Sequence, residues 1–150
     1  MSDLLKQICV DIVLAGMAVF FSSVLHSEFL TKFLDQNLIV LLLALTAING
    51  STVGIIVGKM SDIMSRNQGI KFDKTRAALK AANSEQLVVV IIAVFIQILR
   101  NSTAFSALIP RQALVLEIVL TACLVHSIQI VFDILNSVFI LVDHDAGQDE

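Results

Sequence analysis

His126, Gln129, Asp133 and Asn136 follow one another at steps of three or four residues inside an otherwise apolar run. At roughly 3.6 residues per turn the four fall within about 80° of arc, so they share one helix face, bordered by Ser137 and continued by Ala122. An imidazole ordinarily changes charge between about pH 5 and 8. A His and an Asp two turns apart therefore offer a way to share a proton or to line a polar path. An ionisable side chain within an apolar span is expensive and turns toward a protein interior, a subunit interface or water rather than lipid. The same residues equally suit an interhelical hydrogen-bond network that fixes packing, each bond contributing about 0.6 kcal/mol. Both readings stand at this level.

A second constellation is the ladder Gly50, Gly54 and Gly58, with Ala47 and Ser51 beside it. Small residues every fourth position let helix backbones approach closely in lipid, where apolarity alone does not drive association. The ladder therefore marks either a seam between copies of the chain or packing within one bundle. A third is the basic set Lys59, Arg66, Lys71, Lys74, Arg76 and Lys80. Anionic headgroups attract such residues by ~1 kcal/mol each near the surface, and the set equally suits an acidic cytosolic protein partner. Only Phe72 interleaves these charges, which argues against nucleic-acid binding. Glu117 is expected to pair with Arg100 or Arg111, Asp11 to lie near the inner headgroups, and Asn49 and Gln97 to partner the polar stripe. Cys9 and Cys123 form neither a CxxC nor a Cys/His ligand set, so no metal or cofactor is expected. No phosphate loop, HExxH, GxSxG or nucleophile–base pair occurs, and the chain reads as a non-enzyme.

The elements that must position these residues are four apolar runs: Ile8 to Leu25, Leu38 to Val57, Leu87 to Leu99 and Ala113 to Val142. A hydrocarbon core takes ~20 apolar residues of helix, and only helices or closed barrels satisfy the backbone there. The runs are continuous rather than alternating, so the fold class is all-α: a polytopic membrane protein with four transmembrane helices. The composition agrees, since 57% of residues are hydrophobic and mean hydropathy is +0.88. The basic set falls between runs two and three, and cytoplasmic loops concentrate Lys and Arg. This puts the 59–84 segment, read as a helical hairpin, and both termini in the cytoplasm. A four-span domain over 1–142 is then followed by an acidic tail, 143–150. The hairpin is expected to break at Asn67-Gln68-Gly69, with Asp73 capping the next helix and Pro110 opening the last. Residues His26 to Asn37 read as a short external amphipathic turn. The first run has Asp11 within it and no small-residue cleavage site, so it reads as a retained span.

Within "LVHSIQIVFDILNS", the spacing of His126, Val131-Phe132 and Asn136 resembles the last span of lambda-type phage-exclusion membrane proteins. The plan of four spans, inward termini and a basic hairpin is similar to the membrane subunit of the Kiwa anti-phage system. These resemblances imply a non-enzymatic bacterial inner-membrane sensor or effector in phage defence, homo-oligomeric and signalling to a cytosolic partner. Two alternatives are a small ion channel or proton-coupled transporter, in which the polar stripe lines a wet path, and a toxin-immunity membrane protein.

Overall fold

A computed structural model of the chain describes residues 2–66, 72–102 and 112–146. They form four α-helices: α1 (Ser2–Val24), α2 (Phe29–Arg66), α3 (Asp73–Arg100) and α4 (Gln112–Ala146). All four are long and apolar enough to cross a membrane. At 1.5 Å per residue, α1 is about 34 Å long and α2 about 57 Å. A hydrocarbon core is about 30 Å thick. The second helix is therefore long enough to pass through such a layer and extend well beyond it.

The helices alternate in direction, and α4 is the hub. The other three pack on it, α2 and α3 also pack on each other, and α1 scarcely touches α3. One end of the bundle, the basic end, carries the start of α1, the end of α2, the start of α3 and the end of α4. There Ile56, Met60, Leu79, Ile130 and Ile134 form a buried apolar cluster. Toward the opposite end Leu34, Leu38, Leu42, Val89, Val90, Ala93, Leu120 and Cys123 form a second. Between the two lies a layer of buried polar side chains to which every helix contributes: Asp11, Asn49, Gln86 and Ser127. Outside, the bundle is apolar on all sides. Phe20, Phe21, Ile55, Phe95 and Phe132 are each more than half exposed.

The turn between α1 and α2 is tight because α1 ends in a Schellman motif. Ser27 N donates to Ser22 O at 2.9 Å and His26 N to Ser23 O at 3.1 Å. His26 occupies the left-handed position of that motif, with φ at 50°, where Gly is the usual residue. Ser27 Oγ then accepts from Phe29 N at 3.3 Å, starting α2.

Three sequence expectations change. Residues 29–37 are not a separate turn but the first turns of α2, because Leu34 and Leu38 continue one buried stripe across the expected boundary. Asp73 is not a cap: Phe72 holds the N-cap position with no side-chain hydrogen bond, and Asp73 lies in the first turn. The last helix runs to Ala146, past the expected end of the span at 142. The expected break at 67–69 and the role of Pro110 lie outside the described residues.

Candidate functional site

The buried polar layer contains one compact ionisable cluster. His126 Nδ1 lies 2.7 Å from Asp11 Oδ2, and His126 Nε2 lies 3.1 Å from Glu85 Oε1. One imidazole thus joins carboxylates from α1 and α3. Only 4% of the Asp11 side chain and 13% of the His126 side chain are exposed, against 38% for Glu85. One turn nearer the basic end, Gln7 Nε2 donates to Gln129 Oε1 at 3.2 Å, which repeats the α1–α4 link.

The two contacts constrain how protons can be shared among the three groups. A neutral imidazole has one N–H donor and one lone pair, and ionised carboxylates only accept. With both carboxylates ionised and the imidazole neutral, one of the two close contacts would set lone pair against lone pair. Both contacts are attractive only when the cluster holds one more proton. That proton sits either on the second ring nitrogen or on one carboxyl. In both cases the three groups together carry a formal charge of −1, within the buried polar layer and beside an apolar groove. The remaining acceptor capacity is uneven, because Asp11 Oδ1 is buried without a hydrogen-bond partner. An unpaired polar atom in such surroundings is costly. Among the described residues, no group of three His, Cys, Asp or Glu side chains is arranged to hold a metal ion.

A groove of about 500 Å³ opens beside the cluster, where α1 and α3 diverge over α4. Its walls include Ile12, Val88, Ile92, Val115 and Ile118, and its polar lining is Asp11, Glu85 and His126. On both α3 and α4 the lining begins at the cluster and runs toward the end opposite the basic one.

The four-residue stripe of α4 is divided by this packing. His126 and Gln129 are partly buried and bonded to other helices, whereas Asp133 and Asn136 are exposed. Ser137 Oγ donates to the Asp133 carbonyl at 2.9 Å within α4. The face turns outward toward the basic end because the apolar residues Ile130 and Ile134 take the inward direction there. Asp11 is the closest partner of His126, a pairing that the sequence reading did not include. Glu85 was not singled out by sequence reasoning. The signal for it was available: it is an acidic residue two positions before the start of the third apolar run.

Asn49 and Gln97 do not join the cluster. Asn49 is fully buried with both side-chain polar atoms unpartnered. Gln97 donates to Asp35 Oδ1 at 3.3 Å, at the end away from the basic one. Arg100 Nη1 also approaches Asp35 Oδ1 there, at 3.2 Å. Glu117 therefore has another partner than the expected Arg100: it accepts from Thr31 Oγ1 at 2.7 Å. Arg111 lies outside the described residues. Nearby, a hydrogen bond and the charge of Lys32 at 2.8 Å hold the Glu28 carboxyl below its ordinary range.

Gly50, Gly54 and Gly58 lie on an exposed face of α2, and a methyl group added at any of them would meet nothing within 4 Å. Among the described residues, no helix of the same chain packs closely on the ladder. Lys59, Arg66, Lys74, Arg76 and Lys80 are exposed along the ends of α2 and α3, and Lys71 lies outside the described residues. Comparison with protein-family models, with curated proteins and with solved structures finds no match.

Proposed function

We propose that the chain is a multi-span protein of the bacterial inner membrane, with both termini and the 59–84 hairpin cytoplasmic. Its Asp11–His126–Glu85 cluster takes up and releases a proton inside the membrane as part of a proton-coupled transport cycle. The observation that carries this reading is the pair of contacts on one imidazole, which are both attractive with a shared proton and then carry a charge of −1 in the bundle interior. Intramembrane ionisable residues are expensive and commonly mark proton relays or ion pathways. One further proton, or one monovalent cation, brings the cluster to neutrality, and exchange between those two states is the elementary step of proton-coupled transport. The apolar exterior supports the membrane setting, and the basic set supports the orientation.

The chain has three histidines, so ¹⁵N-histidine NMR in nanodiscs resolves His126 once His126→Ala identifies its resonances. The expected result is a His126 signal that changes with bulk pH and changes differently in Asp11→Asn and Glu85→Gln. A signal invariant across about pH 5 to 8, and beyond that range on both sides, refutes proton exchange.

The bare glycine face favours a second reading, in which copies of the chain associate through Gly50, Gly54 and Gly58. The assembly would then act as a membrane sensor or effector in phage defence and report to a cytosolic partner through the basic hairpin. Small-residue faces associate closely in lipid, and among the described residues nothing covers this one. Loss of a defined oligomer on substituting the ladder, together with loss of a co-purifying soluble protein on neutralising Lys74, Arg76 and Lys80, tests that reading.

A further inference from the structure

The groove between α1 and α3 and the cluster beside it specify a ligand chemistry. We infer that the groove binds an amphipathic monovalent cation, with an N–H-bearing ammonium head at Asp11 and Glu85 and an unbranched apolar body lying along α4. The inference rests on the proton-exchange reading of the same cluster.

Three features of the groove converge on this class. The first is charge. The cluster holds −1 with one shared proton, so an ammonium brings it to zero, whereas an anionic or zwitterionic phosphate headgroup sets negative charge against it. The second is the unused acceptor. Asp11 lines the groove, its side chain is 96% buried and its Oδ1 has no partner. That oxygen is shielded, so an N–H of the ligand supplies the missing donor with a rotation of the Asp11 carboxylate toward the groove. The third is the remainder of the lining, which is entirely apolar. A ligand body carrying hydroxyls or amides would leave them unpaired.

Size and depth narrow the class further. The volume of about 500 Å³ lies in the range of about 300–1,000 Å³ usual for small-molecule sites. Along α4 the lining extends from Val115 to His126, about 16 Å at 1.5 Å per residue. That is roughly half the thickness of a hydrocarbon core, so the charged end of the groove is its deep end. A resident phospholipid keeps its headgroup at the membrane surface and presents only its chains at this depth. A molecule that leaves its charge at mid-depth is one in transit. The gap between α1 and α3 gives it lateral entry from the bilayer, and release of the further proton that neutralises the ligand-free cluster gives it a counter-ion to exchange, the shared proton staying in place.

The test uses the full chain in nanodiscs of zwitterionic lipid, with empty nanodiscs as background, and saturable binding of decylammonium, decyltrimethylammonium, decanol and decanoate. Decylammonium is expected to bind about 10- to 100-fold tighter than decanol, because its hydrogen bonds to the carboxylates are charge-assisted. The trimethyl analogue should fall between them, and decanoate should not bind. Asp11→Asn should remove the preference for the ammonium. Ile118→Trp, which fills the groove away from the cluster, should weaken binding while leaving the pH response of the His126 NMR signal in place. Equal binding of ammonium and alcohol, or saturable binding untouched by both substitutions, overturns the inference. A pH-responsive His126 with no saturable ammonium binding also overturns it, and leaves the proton-exchange reading standing. An invariant His126 together with ammonium binding would instead remove the proton-exchange reading on which the inference rests.

Discussion

Removing the imidazole tests whether the cluster is charged in the way its geometry requires. In His126→Ala the Asp11 carboxylate loses its partner at 2.7 Å, and its other oxygen already has none. The carboxylate is then buried with no hydrogen bond. Breaking a buried ion pair by deleting one member costs about 3–5 kcal/mol, the scale expected of unit charges about 4 Å apart at an effective dielectric near 20. A neutral interhelical hydrogen bond in a membrane averages only about 0.6 kcal/mol. The two accounts therefore differ several-fold for the same substitution. Reversible unfolding by a graded mole fraction of dodecyl sulfate in mixed micelles measures the difference. The decisive variant is the double Asp11→Asn/His126→Ala. It removes the orphaned charge and leaves a buried amide, whose unsatisfied groups cost about 1–3 kcal/mol. The double variant should thus be more stable than His126→Ala alone. A double variant as unstable as the single, or a single variant losing under about 1 kcal/mol, would mean that the contacts are ordinary packing bonds.

Four other outcomes follow from named residues. Ser127→Ala deletes a buried hydroxyl that has no partner, so in the same unfolding assay it should be neutral or stabilising, the opposite sign to His126→Ala. His26→Gly relieves a left-handed non-glycine residue at the end of α1 and should raise stability by about 1 kcal/mol, seen as a higher dodecyl sulfate midpoint. Gly54→Ile adds a side chain where a Cβ meets nothing, so secondary structure and unfolding midpoint should hold while the oligomer, read by native mass spectrometry, dissociates. Neutralising Lys59, Arg66, Lys74, Arg76 and Lys80 together removes most of the charge bias that orients the helices, and a C-terminal reporter active on one side of the membrane should then show mixed topology.

The helices were legible in the sequence because each contains a continuous apolar run, a signal that needs no partner to be read. Their ends were less so. Apolar character stops where a membrane would stop, whereas a helix stops where its backbone loses partners. The run from Leu38 to Val57 accordingly lies within a helix that starts at Phe29 and continues to Arg66. The ladder Gly50, Gly54 and Gly58 was correctly read as one face, since periodicity within a helix is a local property. Whether another helix covers that face is a property of the bundle, and spacing alone left both answers open.

The cluster shows the same division more sharply. His126 and Gln129 were legible as inward-facing, but helical phase alone also selected Asp133 and Asn136, which share the arc and not the burial. Phase repeats along a helix, while the neighbours change with depth: Ile130 and Ile134 fill the interior at the level where Asp133 points out. Depth is what identifies the partners. Asp11 lies nine residues into α1, about 14 Å from the helix start at 1.5 Å per residue. Glu85 lies twelve residues into α3, about 18 Å along by the same rise. Counting rises from the helix starts, rather than from the edges of the apolar runs, brings both carboxylates to comparable depth from the basic end. His126 meets both there. The three residues form a site because α1 and α3 begin, and α4 ends, at one end of the bundle, and no single run of sequence contains that fact.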